Sequence, residues 1–441
     1  MLNNILSAVN DWMYTYLLLF LLVGTGIYFT IRTRFVQLRL LKESFHVLKE
    51  KAGEENGKKQ VSSFQALMIS TASRVGTGNI AGIATAIAAG GAGAVFWMWL
   101  MAVIGGASAF IESTLAQVYK VKDKEEFRGG PSYYMEKALG KRWLGILFSV
   151  LLIICFAYGF NGLQSFNMSS SLEYYIPGYS DTVYPMLVGL ILAVGTAFVI
   201  FGGVHRIGFI TSVLVPIMAG AYLLIGLYTV ITNITELPKV FSMIFSQAFD
   251  FKAFAGGMAG SAVVIGIKRG LFSNEAGMGS TPHAHATADV KHPGDQGIIA
   301  MMGVFIDTFV ILTLTALVIL STGALSSGET GSALAQVAFD SAFGSFGKIF
   351  IAICMLFFAF TTIIGWYYFG EVNVRSLLGQ KAVKIYAFLV VVCVLVGSTL
   401  KVDLVWNMSD MFNGLMVIPN LIAILASVKI VKKLSKEHEF M

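Results

Sequence analysis

Apolar runs of roughly 18 to 25 residues recur along this chain, and each is long enough to carry a helix across about 30 Å of hydrocarbon at about 1.5 Å per residue. They fall near Met13 to Ile31, Ser63 to Gly90, Ala94 to Tyr119, Leu144 to Met168, Tyr184 to Phe201, Ile207 to Ile231, Ala255 to Met278, Gly297 to Thr322, Lys348 to Val372, Lys384 to Leu400 and Trp406 to Ile430. No single water-soluble core has a use for so many. Only 13% of the residues are charged, against roughly 25% in soluble domains, while 56% are hydrophobic. The expected fold class is therefore an all-α membrane protein of about eleven transmembrane helices. Glu236 to Phe251 and Ser332 to Phe343 are too polar or too short to span and read as interfacial helices. The N-terminus lacks a basic region and a small-residue cleavage site, so the first span is expected to stay.

The net charge of +6 does not point to nucleic acid, because the basic residues sit in loops beside apolar runs instead of forming one stripe. With the N-terminus outside, 26 of the 31 Lys and Arg fall in inner loops, inner helix ends and the tail, which the positive-inside rule favours. Cys155, Cys354 and Cys393 are far apart in apolar segments and read as small buried hydrophobes with no disulfide. His283, His285 and Asp289 lie in what reads as a polar inner loop, without zinc-enzyme spacing. Nucleophile-elbow, phosphate-loop and dinucleotide motifs are missing, so neither ATP-driven transport nor an enzyme is supported.

Two runs differ from the rest. SRVGTGNIAG in the second and GIKRGLFSNEAGMG in the seventh place glycines and charges inside apolar helices, and both read as broken. Five spans separate their starts, so residues 61–233 and 253–430 form two five-helix halves of inverted topology, each opening with a broken helix. Residues 1–60 supply an extra helix and a basic loop, 234–252 an outer interfacial segment, and 431–441 a tail. A helix unwound at depth must satisfy its freed N–H and C=O groups, and it can do so on a zwitterion and a cation. Gly76 and Gly78 beside Ser73, Arg74 and Asn79 are read this way, whereas Gly82 and Gly90 are read as packing glycines.

In the ninth run, FFAFTTIIGW puts the Phe358 carbonyl and the Thr361 and Thr362 hydroxyls on one helix face, a set of hard oxygens. Alone this is weak, since such hydroxyls usually bond their own preceding carbonyls. Asn161, Gln164, Glu112 and Asp307 are the other conspicuous polar groups inside spans. Glu112 is expected to pair with Arg74 or Lys268, as a gate or as a structural lock.

The strings STASRVGTGNIAG (Ser70 to Gly82), FIESTLAQ (Phe110 to Gln117), GGPSYYME (Gly129 to Glu136) and GIKRGLFSNEAGMGSTPHAHA (Gly266 to Ala286) closely resemble the alanine or glycine:cation symporter family. The resemblance covers most of the chain. It implies a leucine-transporter-type fold and a sodium:neutral amino acid symporter in a prokaryotic plasma membrane, N-terminus outside and C-terminus in the cytoplasm. By the same resemblance, carbonyls of Ala72 and Val75 with Phe358, Thr361 and Thr362 would hold sodium. The substrate would lie among Thr77, Gly78, Gln164, an unwound Ile265 to Gly270 stretch that includes Gly266 and Ile267, and Trp366 as a pocket wall. Ser165 and Phe166 replace the small residue and Asn common after the glutamine in the family, which leaves room for a larger substrate such as glutamine.

The expected function is inward sodium movement coupled to uptake of alanine, glycine, serine or glutamine, with an ion channel or a proton-coupled carrier as the alternative. Lipid, sodium and the amino acid are the expected partners, with no nucleic acid and no organic cofactor.

Overall fold

A computed structural model describes residues 2–50, 53–55, 58–123, 126–176, 178–249 and 261–437. The helices run α1 (Asn3–Arg32), α2 (Ser63–Arg74), α3 (Ala81–Gly90), α4 (Gly93–Val118), α5 (Arg142–Tyr175), α6 (Tyr184–Ile200), α7 (Arg206–Thr232), α8 (Leu237–Ala248), α9 (Ala262–Asn274), α10 (Pro293–Ser321), α11 (Gly331–Phe343), α12 (Ser345–Leu378), α13 (Gln380–Gly397) and α14 (Asp403–Lys433). Eight of them (α1, α4, α5, α7, α10, α12, α13 and α14) are long and apolar enough to cross a membrane. The remaining apolar runs are a shorter helix, α6, and the two that read as broken. Of the run Ala255 to Met278, residues 255–260 lie outside the described residues. The two short segments expected not to span fall on α8 and α11, residues 250–251 of the first lying outside the described residues.

The molecule is apolar outward and polar inward. Ile191, Val194 and Phe198 on α6, Phe209, Ile217 and Leu224 on α7, and Ile385 and Phe388 on α13 are all exposed, whereas Glu112, Asp307, Glu275 and Arg74 are buried. Only hydrocarbon accepts such a surface, because each helix satisfies its own backbone and leaves nothing polar to face lipid.

Local chemistry decides where the helices begin and break. Ser62 caps α2, its hydroxyl accepting from the Gln65 N–H at 3.2 Å while the Gln65 side chain accepts from the Ser62 N–H at 3.0 Å. Arg74 ends α2, and Gly76 is fully extended (φ −124°, ψ −166°) before one tight turn over Thr77–Asn79 restarts the chain into α3. Wide helical turns interrupt α1 at Met13–Leu18, α5 at Cys155–Phe160 and α10 at Ile306–Leu312. Such turns free a carbonyl from the regular ladder and recur at functional positions.

Candidate functional site

The chain is unwound between Arg74 and Ala81, and side chains from three other helices grip the break. Thr362 of α12 donates its hydroxyl to the Ala72 carbonyl at 2.9 Å. Gln164 of α5 accepts from the Thr77 N–H at 3.1 Å, and Asn167 one turn later donates to the Thr77 hydroxyl at 2.8 Å. Asn79 donates to Asp307 of α10 at 2.7 Å. All of these groups are buried. A methyl group on Gly76 would sit 2.5 Å from the Thr362 hydroxyl and 3.3 Å from the Gln164 carbonyl oxygen, so only glycine lets the three converge. The Nε2 of Gln164 has no hydrogen-bond partner among the described residues.

The second break corrects the sequence reading. Ile265 to Gly270 is regular helix inside α9, and the chain unwinds only from Glu275, which is left-handed (φ +55°) and followed by Gly277 (+81°) and Gly279 (+85°). Gly266 and Gly270 are four apart because α9 packs closely on α4, Gly266 against Ala94 and Trp97 and Gly270 against Met98. Ile265 lies against Gly90 at the end of α3, away from the first break. What α9 does present to the first break is Phe272, whose ring would be 2.7 Å from a methyl on Gly78. Ser273 follows it and donates to Asp307 at 2.7 Å.

Glu275 ties the two breaks together. It accepts from Ser73 at 3.2 Å, from Ser280 at 2.6 Å and from the Trp366 indole N–H at 2.6 Å. Trp366 is thus oriented by a carboxylate as well as packed, stacking on Phe156 at 5.7 Å between ring centroids, with Phe160 at 4.6 Å and Phe272 at 6.0 Å. Sequence reasoning missed Glu275, Phe160 and Phe272. The signal was available in SNEAGMG, where an acid precedes two glycines inside an apolar run.

The expected pairing of Glu112 with Arg74 or Lys268 does not occur. Glu112 accepts from the Gly277 N–H at 3.2 Å and from Asn420 at 2.9 Å, so it clamps the second break to α14. Arg74 donates to Thr281 at 3.1 Å and to the Ala300 carbonyl at 3.4 Å, and it makes no ion pair among the described residues. Lys268 meets Asp410 at 2.8 Å, and Arg269 holds the same carboxylate with two bonds of 3.0 Å while lying 4.1 Å over the Trp406 ring. Tyr14 of α1 donates to the Asp410 carbonyl at 3.0 Å. Lys268 and Arg269 are therefore both engaged by α14 through Asp410.

The hydroxyl pair on α12 divides. Thr362 faces the break, but Thr361 bonds the Phe357 and Phe358 carbonyls of its own helix at 2.9 and 3.2 Å. Phe358 packs its ring on Tyr222, and Val75 caps α2 by donating to the Thr71 carbonyl. The stretch around His283 and His285 is not a polar loop. Both rings are buried, His283 between Phe148 and Phe369, and burial pushes them down to about 4 and about 3.

A family model described as the sodium:alanine symporter family matches residues 1–440. The amino-acid carrier protein AlsT of Bacillus subtilis is 46% identical over 99% of this chain and 92% of its own length. The probable sodium/glutamine symporter GlnT of the same organism is 47% identical over 99% and 91%. The sodium/alanine symporter AgcS of Methanococcus maripaludis is 39% identical over 96% and 94%. The solved structure of MhsT in complex with L-phenylalanine superposes with a TM-score of 0.62 over 84% of this chain and 90% of that one, at 16% identity. That likeness is one of fold, of the leucine-transporter type.

Proposed function

The chain belongs to the sodium:alanine symporter family, and from that premise we propose that it carries a small neutral amino acid across a prokaryotic plasma membrane, together with sodium, by alternating access. The observation that carries this reading is the first break. There the Thr362 hydroxyl, the Gln164 amide and the main chain from Ala72 to Gly78 meet in a buried polar site. Freed carbonyls and a hydroxyl suit sodium, whereas N–H groups at the start of α3 suit a carboxylate.

In this reading sodium binds at the Ala72 and Val75 carbonyls with Thr362, the Phe358 carbonyl completing the face and Thr361 joining only if it leaves its own helix. The amino acid lies against Thr77, Gly78 and Gln164, its side chain toward Phe160, Phe272 and Trp366. Because sodium and substrate share one unwound segment, each stiffens it for the other, and linkage makes that coupling reciprocal. The segments 61–233 and 253–430 are read as the two inverted halves, with the N-terminus outside and the C-terminus in the cytoplasm. Relatives named for alanine and for glutamine suit a pocket closed by planar rings more than by charge.

The test is counterflow and uptake in proteoliposomes with purified protein, comparing alanine, glycine, serine and glutamine with and without a sodium gradient. Saturable, sodium-dependent uptake of at least one of them is expected. Uptake indifferent to sodium, or single-channel currents without saturable uptake, would overturn the reading.

A further inference from the structure

We propose that a groove on the outside of the bundle, where α6, α7 and α12 meet, binds one anionic phospholipid, its phosphate on Arg206 and an acyl chain along the groove. Binding of this lipid stands apart from the symporter reading and is measured without transport. The groove has a volume of about 350 Å³ and is lined by glycine and apolar side chains alone. Phe198 of α6 and Phe209 and Val213 of α7 are its exposed walls, and Phe360 of α12 is its half-buried floor. Gly195 leaves that floor bare, since even a methyl there would lie 3.2 Å from the Phe360 ring. Val213 lies two turns of α7 beyond Arg206, so the groove runs roughly 10 Å from the charged corner into the apolar depth of the membrane.

The mouth of the groove selects what enters it. Arg206 opens α7, and its guanidinium lies 5.2 Å over the ring of Phe198, itself a wall of the groove. Its Nη1 donates to the Phe198 carbonyl at 2.7 Å, in the last turn of α6. A side chain on Gly202 would collide with the Arg206 Nε, so the corner between the two helices is kept bare for it. No carboxylate among the described residues pairs with Arg206, which is exposed. Its remaining N–H donors form the planar fork that fits a phosphate. A lipid of net negative charge neutralises this guanidinium, whereas a zwitterionic one brings its own cation beside it. A second apolar groove, between α5 and α12, has a similar volume of about 330 Å³ and lacks this feature. Lys348, next to it in sequence, already meets Asp340 at 3.1 Å.

The floor joins the groove to the first break. Phe360 immediately precedes Thr361 and Thr362, and on α7 Met218 holds its sulfur 3.6 Å from the Thr361 hydroxyl. A chain seated on Phe360 therefore braces the segment of α12 whose Thr362 meets the Ala72 carbonyl. Anything that binds the folded protein in this way stabilises it by mass action.

The test is native mass spectrometry of the purified full-length protein in detergent, with dioleoyl phosphatidylglycerol or dioleoyl phosphatidylcholine added. One phosphatidylglycerol retained per chain is expected, with a preference of about fivefold or more over phosphatidylcholine. Arg206→Gln should abolish the preference. Val213→Trp fills the groove from its exposed side, leaves Arg206 in place and should abolish retention. Phosphatidylglycerol should also raise the melting temperature of the unaltered protein and of neither variant. Equal retention of the two lipids overturns the inference, as does a preference that survives Arg206→Gln or retention that survives Val213→Trp. Displacement of the lipid by millimolar inorganic phosphate reduces the groove to a phosphate site and overturns it too, and so does an unmoved melting temperature. Should Val213→Trp not fold, Gly195→Leu closes the groove from its floor and must abolish retention in its place; retention in that variant overturns the inference.

Discussion

The two breaks are built by opposite means. At the first, residues 75–80, the main chain is bare and is met by neutral side chains of α5 and α12, Gln164 at the Thr77 N–H and Thr362 at the Ala72 carbonyl just before it, while the one carboxylate there, Asp307, takes only the Asn79 side chain. At the second, residues 275–281, left-handed backbone turns the chain and carboxylates hold it, Glu112 from α4 and Glu275 from the break itself. Neutral groups can exchange a backbone partner for a ligand at small cost, because each bond lost is replaced by one of similar strength. A buried carboxylate holding three donors cannot let go so easily. The first break is thus suited to binding and the second to anchoring.

The largest effect should come from breaking the anchor. Glu275→Ala strands the Trp366 indole N–H and the Ser280 hydroxyl, Ser73 keeping the Ser70 carbonyl, and removing one partner from a buried charged set costs roughly 3 to 5 kcal/mol. A loss of uptake of at least a hundredfold with a clear fall in melting temperature is expected in detergent. Unchanged stability would show that Glu275 is not an anchor.

Glycine substitutions separate the two breaks by readout. Gly76→Ala puts its methyl into the Thr362 hydroxyl, so the concentration of sodium at half-maximal uptake should rise about tenfold or more while melting changes little. Gly279→Ala places a side chain at φ +85° beside Asn420 and Phe148, which costs about 1 to 2 kcal/mol and should appear mainly as lost stability. The reverse pattern would invert the roles assigned to the breaks.

A smaller effect sharpens the picture at α12. Thr362→Ala should raise the sodium requirement about tenfold, equivalent to about 1.4 kcal/mol, by removing the hydroxyl on the Ala72 carbonyl. Thr361→Ala should change it less than twofold, because that hydroxyl is engaged by its own helix. Equal effects would restore the pair expected from sequence spacing.

What the sequence disclosed follows from this contrast. The first break was legible because its signal is local: Gly76 and Gly78 among polar residues leave α2 no way to continue. The helical character of Ile265 to Gly270 was not, since glycines four apart serve close packing as readily as unwinding, and only the neighbours Ala94 and Met98 decide which. Spacing placed Thr361 and Thr362 on one side of α12 but could not tell which hydroxyl turns back on its own helix. Partners of buried charges were illegible for the same reason. Glu112 finds Asn420, 308 residues away, and Lys268 finds Asp410, and nothing local names either.

The last expected effect, one on stability alone, lies beyond the second break, where His283 is held as a neutral ring. Its Nδ1 lies 2.7 Å from the Ser280 carbonyl and its Nε2 2.8 Å from the Asn373 amide, so one nitrogen donates and the other accepts, which suits only the uncharged form. Burial pushes it down to about 4, and its neighbour His285 to about 3. The unfolded chain binds these protons near pH 6.5, so each histidine contributes stability at pH 7 that is lost as the pH falls below about 6.5 and is gone at its folded value, at up to about 1.4 kcal/mol per unit. Melting temperature should therefore decline from pH 7 to 5 in the unaltered protein and decline less in His283→Gln, whose amide can still accept from Asn373. The described part of the first break carries no histidine, so sodium-dependent steps there should not follow this curve. A flat melting profile, or one that His283→Gln leaves unchanged, would remove the histidine from the anchor and leave the carboxylates to hold it alone.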